Sequence, residues 1–260
     1  MSDAVTEGID AENVASWLNK HVPGVNPPLK YQLIAGGHSN LTYRVEDQEE
    51  NLYVLRRPPL GHVLATAHDM AREHRIISAV GNTDVPVPPT LGVCEDDEVN
   101  GAPFYVMEYV DGEVLHSDAE ATLVPVSERV DLSRQVVEVL AELHAIEPED
   151  IGLGDLAKRE DYLGRQLRRW SRQWEQSKTR ELEAMEEVQD LLERRKPEQI
   201  GSTIVHGDYR LGNMLTRSGR ILAVLDWELC TLGDPLAAVS YTHLRAHETL
   251  RYLVCRLLLE

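Results

Sequence analysis

The stretch from Thr203 to Asp226 constrains the fold most. Three short apolar runs, Thr203 to Val205, Asn213 to Thr216 and Ile221 to Leu225, are too brief for helices and read as strands. Asp208 lies in the loop after the first run. Asn213 follows it five residues later and opens the second, and Asp226 directly follows the third. A carboxylate at the end of a buried apolar strand is firmly held, so these polar groups stand at fixed points of a framework. Taken singly, each would read as a turn residue or a helix cap.

The rest of the chain divides by character. Asp10 is placed to cap a helix over Ala11 to His21, and the prolines and glycine between Val22 and Pro28 then break structure. Leu29 to Ile34, Leu41 to Val45 and Leu52 to Arg56 alternate as strands. His62 to Val80 has helical spacing, and Leu91 to Cys94 with Phe104 to Val110 reads as a hairpin around an acidic turn. Beyond this point Ser127 to Ile146 is an amphipathic helix with Val130, Val136, Val137, Leu140, Ala141 and His144 on one stripe. Asp161 to Arg195 is charged and helical. This predicts an α+β chain of two lobes. Residues 1–110 form an antiparallel sheet with one helix, and residues 111–238 are mostly helical.

Phosphoryl transfer asks a protein for positioning, for cation binding at the phosphates, and for a carboxylate that orients or accepts a hydroxyl proton. Kinase catalytic loops place an Asp and an Asn at the interval found between Asp208 and Asn213, the Asp serving the nucleophile and the Asn a metal. Magnesium takes hard oxygen ligands from one or two residues and completes its shell with phosphate and water. Asp226 suits such a ligand set with Asn213. His206, two residues before Asp208, stands where it can brace the loop.

The segments Gly36-Gly37-His38-Ser39-Asn40-Leu41-Thr42-Tyr43, Tyr53-Val54-Leu55-Arg56-Arg57-Pro58-Pro59, Val205-His206-Gly207-Asp208-Tyr209-Arg210-Leu211-Gly212-Asn213 and Leu225-Asp226-Trp227-Glu228 resemble the aminoglycoside phosphotransferase family of the protein-kinase-like fold. Within it they are most similar to the branch related to kinase domains fused to acyl-CoA dehydrogenases. The resemblance covers about residues 10–238. It implies ATP and Mg²⁺ as cofactors, Asp208 as catalytic residue, and Asn213 and Asp226 as metal ligands. It also implies a phosphate loop at Gly36, Gly37, His38, Ser39 and Asn40, where glycines let backbone N–H groups approach oxygens. Arg56 stands where kinases place a phosphate-binding lysine, with Glu73 as its partner. A guanidinium grips phosphate in two-pronged fashion and is not equivalent to lysine. Strand alternation puts Arg56 and Arg57 on opposite faces and leaves open which one points inward. Glu108 and Tyr109 fall where the family's hinge meets adenine through its backbone. Asp234, in Gly233-Asp234-Pro235, reads as a structural anchor.

The implied reaction moves the γ-phosphate of ATP to a hydroxyl of a small molecule, either aminoglycoside-like or hydroxyacyl-CoA-like. Two alternatives are weighed beside it. A protein kinase is disfavoured because no Ala-Pro-Glu segment follows Asp226. A catalytically impaired nucleotide-binding fragment is suggested by the tail. From Val239 the resemblance stops, and residues 239–260 read as non-native sequence that leaves the second lobe truncated. His243 and His247 there lack a third metal ligand. A net charge of −18 argues against nucleic acid and anionic membranes as partners and would suit a cationic substrate. No apolar run reaches membrane-spanning length. Three scattered cysteines, Cys94, Cys230 and Cys255, together with an acidic N-terminus, give a cytoplasmic expectation. Arg165, Arg168, Arg169 and Arg172 form a basic helical cluster that could face an anionic substrate.

Overall fold

The structure, a computed structural model, describes residues 6–35, 40–61 and 69–238. In chain order its elements are α1 (Ala11–His21), β1 (Lys30–Ala35), β2 (Leu41–Glu46), β3 (Leu52–Arg57), α2 (Met70–Val80), β4 (Thr90–Cys94), α3 (Asp97–Asn100), β5 (Phe104–Glu108), β6 (Glu113–Val114), α4 (Asp118–Leu123), α5 (Val126–Ala145), α6 (Tyr162–Ser177), α7 (Glu183–Arg195), β7 (Thr203–Val205), β8 (Met214–Arg217), β9 (Arg220–Val224) and β10 (Thr231–Gly233). Short 3-10 turns cover Leu211–Asn213 and Trp227–Leu229. Two compact units result. The first runs through Val139 and takes in Leu211–Glu228; the second holds Leu140–Arg210 and the chain from Leu229.

In the first unit, five antiparallel strands form a sheet in the order β1-β2-β3-β5-β4. Alternation sorts its side chains. Leu55, Phe104 and Val106 join Val14 and Leu18 of α1 in a buried cluster with Tyr43 and Val45. Trp17 packs edge-on against Phe104, ring centroids 5.1 Å apart. Removing each such side chain from water stabilises by about 1.5–3 kcal/mol. Helices α1 and α2 of this unit each start where an aspartate can cap them. Asp10 accepts from the Asn13 amide and Asp69 from the Arg72 amide, each meeting one of the orphan donors of a first helical turn.

Three sequence expectations need correction. The helix expected over His62 to Val80 begins at Met70 within the described residues, and residues 62–68 lie outside them. The β4–β5 hairpin is joined by a helical turn, α3, because Asp96 caps it and Gly101, at φ 68°, ends it in the left-handed conformation. On α5, Val130 and Val137 are 61% and 66% exposed. The buried stripe is Leu132, Val139, Leu140 and Leu143. Two overlapping three-and-four stripes run along this helix, and periodicity could not choose between them. β6 and α4 carried no readable signal. Residues 239–260 lie outside the described residues.

In the first unit, β6, β8 and β9 make a second small sheet, with Met214 opposite Val224. In the second unit β7 pairs antiparallel with β10, Leu232 opposite Ile204. Asp234 is buried there and accepts backbone amides from Ile200 and Leu236 at 3.2 and 2.9 Å, which is the anchoring role its position suggests. Among the described residues no helix is long and apolar enough to cross a membrane.

Candidate active site

Arg56 and Arg57 part ways as strand alternation requires. Arg57, on the α1 face of β3, donates to the carbonyls of Gly8 and Asn100 and ties down the N-terminal segment. Arg56 turns to the opposite face. Its Nη2 lies 3.0 Å from Asp226 Oδ1 and its Nη1 3.3 Å from Glu73 Oε1. The three residues come from β3, α2 and the turn after β9, so the sheet, its helix and the metal-ligand candidate meet in one ionic cluster.

Arg56 and Glu73 are buried, which makes the cluster costly to assemble and costlier to break. Burial opposes the Arg56 charge, but the Tyr105 oxygen, Glu73 and Asp226 outweigh it, and the guanidinium is held charged more firmly than an ordinary arginine. For Glu73 burial is the largest influence and pushes its carboxyl above the usual range. Arg56 pulls the other way, as does an amide donated by Trp227. Tyr105 sits directly across from Arg56 on β5, fully buried. Its hydroxyl is turned to Glu73 without a hydrogen bond of ordinary geometry.

Asn213 and Asp226 are brought together by the β8–β9 hairpin. The register sets Met214 against Val224, and the Leu225 amide donates to the Asn213 carbonyl at 2.8 Å. The two residues therefore flank the same end of the strand pair. Asp226 has φ 67°, a left-handed backbone that a non-glycine residue adopts only when its surroundings enforce it. Trp227 supplies part of that enforcement, being fully buried with Nε1 donating to the Val224 carbonyl at 3.0 Å. One carboxylate and one amide oxygen are hard donors, and they fit Mg²⁺ completed by phosphate oxygens.

Asp208 belongs to the second unit. The loop that carries it leaves β7 through His206 and Gly207. His206 is buried, and its Nδ1 accepts the Asp208 amide at 3.2 Å, so the ring proton sits on Nε2. Gly207 has φ 90°, and a Cβ there would stand 2.7 Å from both the Cβ and the carbonyl oxygen of Leu229. No other residue fits. Arg210 Nε then pairs with Asp208 Oδ2 at 3.1 Å, and both side chains are partly exposed. Sequence reasoning passed over Arg210, although a cation two residues from the candidate catalytic carboxylate was a legible signal.

The remaining predicted residues are less central. Gly36, Gly37, His38 and Ser39 lie outside the described residues. Asn40 is buried, and its amide donates to Glu228 Oε2 at 3.2 Å and Glu73 Oε2 at 3.4 Å. The amides of Glu108 and Tyr109 are bonded to the carbonyls of Pro89 and Leu52, so any backbone contact these residues make with a base falls to their carbonyls. Arg168 of the basic α6 cluster is paired with Asp161, whose carboxyl is pulled down to about 2 by Arg168 and then Lys196. Glu228, unassigned from sequence, joins the Arg56 cluster through Asn40.

The profile of the phosphotransferase enzyme family matches residues 30–251. Acyl-CoA dehydrogenase family member 10 of Mus musculus is 38% identical over 86% of the chain, and family member 11 of Rattus norvegicus is 32% identical over 90%. The chain spans 21% and 31% of the lengths of these two relatives. Among solved structures, a Ralstonia eutropha JMP134 protein provisionally assigned as an aminoglycoside phosphotransferase superposes with a TM-score of 0.76. It is 36% identical, with 90% of this chain and 69% of that one covered. The streptomycin–ATP–APH(2'')-IIa ternary complex shares the fold at 21% identity, with a TM-score of 0.63 over 90% of this chain and 75% of that one. With its antiparallel sheet and helix and its helical second part, the chain belongs to the phosphotransferase enzyme family and has the protein-kinase-like fold of the aminoglycoside phosphotransferases.

Proposed function

We propose that the chain transfers the γ-phosphate of ATP to a hydroxyl of a small molecule, with Mg²⁺ held by Asn213 and Asp226. The observation that carries this reading is Arg56 fixed by Glu73 and Asp226 at the end of the hairpin that carries Asn213. A guanidinium beside a metal-ligand pair is what a polyphosphate needs from a protein: charge complementarity held in place before the ligand arrives. Mg²⁺, when bound, neutralises charge on the phosphate oxygens.

Asp208 orients the acceptor hydroxyl and takes its proton. His206 fixes the Asp208 backbone and Arg210 holds its carboxylate through Oδ2, so the catalytic carboxylate is set in one orientation. Gly36 to Ser39 would cover the phosphates with backbone amides. The relatives named as acyl-CoA dehydrogenase family members favour a hydroxyacyl thioester over an aminoglycoside as acceptor. Three cysteines scattered along the sequence without the spacing of a disulfide framework favour a reducing, cytoplasmic setting.

The test is ATP turnover with a panel of hydroxyacyl-CoA thioesters and aminoglycosides, together with calorimetry of Mg·ATP. Asp208→Ala is expected to cut turnover at least about a hundredfold while nucleotide affinity holds. Asp226→Ala is expected to weaken Mg·ATP binding. Full turnover by Asp208→Ala, or unchanged affinity in Asp226→Ala, would overturn the assignments.

A further inference from the structure

We propose that Asn40 is a positioning residue. Its side-chain amide clamps Glu73 to Glu228 and so fixes the Asp226 turn, and it does not itself bind phosphate. The inference rests on the phosphotransferase reading of this site and adds a role to it.

The carboxamide of asparagine has two N–H donors on one nitrogen. In Asn40 that nitrogen faces two carboxylates, Glu73 Oε2 on α2 and Glu228 Oε2 in the turn after Asp226. Donors already directed to two carboxylates, that of Glu73 buried and that of Glu228 partly so, are not presented to a nucleotide. Asn40 is 3% exposed, and it stands immediately before β2, whose Thr42 pairs with Arg56. The clamp is therefore rooted in the same sheet end as the guanidinium.

The contacts close on themselves. Asp226 Oδ1 meets Arg56, Arg56 meets Glu73 Oε1, Glu73 Oε2 meets Asn40, and Asn40 meets Glu228, two residues from the starting point. Arg72 of α2 adds a longer contact to the Glu228 carbonyl at 3.4 Å. A left-handed aspartate in a partly buried turn persists because its neighbours over-determine it. The ring does so from both sides, with Arg56 on residue 226 and Asn40 on residue 228. Arg56 and Asn40 divide the two oxygens of Glu73 between them, which keeps Glu73 in one orientation. Without the amide, Glu73 and Glu228 would face each other as like charges in a partly buried site, and the turn carrying the candidate metal ligand would lose one of its supports.

A double-mutant cycle of Asn40→Ala and Glu228→Ala in the full chain tests this. Urea midpoints are read without ligand, and ATP affinity is read by calorimetry with Mg²⁺ and again in EDTA. The clamp predicts non-additive urea midpoints. It predicts that either single change weakens binding about tenfold with Mg²⁺, that the double variant is no worse than the weaker single, and that all four proteins bind alike in EDTA. Multiplying losses, or a loss in EDTA confined to Asn40→Ala, would make Asn40 a direct phosphate ligand and end the proposal. Should the alanine variants fail to fold, the exchange Asn40→Asp with Glu228→Gln restores a donor–acceptor pair. It is expected to recover Mg²⁺-dependent affinity relative to Asn40→Asp alone, and no recovery would count against the clamp. If the wild-type chain binds no nucleotide, the phosphotransferase site reading fails, while the ligand-free cycle still decides whether the clamp exists.

Discussion

Arg56 Nη2 lies 3.0 Å from Asp226 Oδ1, although the two residues are 170 positions apart in sequence. The contact joins the third strand of the large sheet to the turn that ends the β8–β9 hairpin. It also explains why an arginine can stand at this position. Its two terminal nitrogens reach Glu73 and Asp226 at once, each carboxylate on its own nitrogen of a rigid planar fork that a single ammonium lacks.

Removing that guanidinium leaves Glu73 buried beside Asp226 with no cation. Arg56→Ala is expected to lower unfolding stability by about 3–5 kcal/mol, read from urea denaturation. Arg56→Lys should recover part of the stability but bind Mg·ATP more weakly than wild type. Equal affinity for the lysine variant would mean that Arg56 serves the fold alone.

Glu73 gives the stability a pH signature. Burial raises its folded value above the ordinary 4.5, so the native chain holds this proton more tightly than the unfolded one. Its contribution is fully present below about 4.5 and is lost as pH rises through the higher folded value. The stability of the wild type relative to Glu73→Gln is therefore expected to fall as pH rises from 4.5 toward neutrality. Paired urea titrations at several pH values check it, and a gap that widened with pH would show that Arg56 dominates over burial.

Gly207→Ala addresses the Asp208 loop. The left-handed backbone costs an alanine about 1–2 kcal/mol, and the 2.7 Å approach to the Leu229 carbonyl adds to it. We expect lower thermal stability together with loss of turnover. A variant with wild-type melting temperature and activity would show that the loop relaxes without consequence.

Arg210→Ala separates orientation from stability. Its ion pair with Asp208 is partly exposed, so the stability change should stay within about 1 kcal/mol. Turnover should nonetheless drop about tenfold or more, because the Asp208 carboxylate loses its fixed orientation. The check is kcat and KM measured beside a urea curve. A change in KM alone would assign Arg210 to substrate binding.

Much of this was legible along the chain. Alternation placed Arg56 and Arg57 on opposite faces. The run from Ile221 ended on Asp226 as a buried strand should, and the spacing from His206 to Asn213 marked the loop. These signals are local, and each is carried by neighbours in sequence. Tertiary structure alone decided what depends on distant partners. It turned Arg56 rather than Arg57 to Asp226, because α2 brought Glu73 to that face of the sheet. It gave Asn40 two carboxylates instead of leaving its donors open, and it drew Glu228 into the cluster. It chose Leu132, Val139, Leu140 and Leu143 over Val130 and Val137 on α5, since two stripes of equal periodicity differ only in what packs against them. Sequence thus determined which chemical groups stand on which local element. The structure determined which of them share an ion pair, because the energy of a buried charge is set by partners far away along the chain.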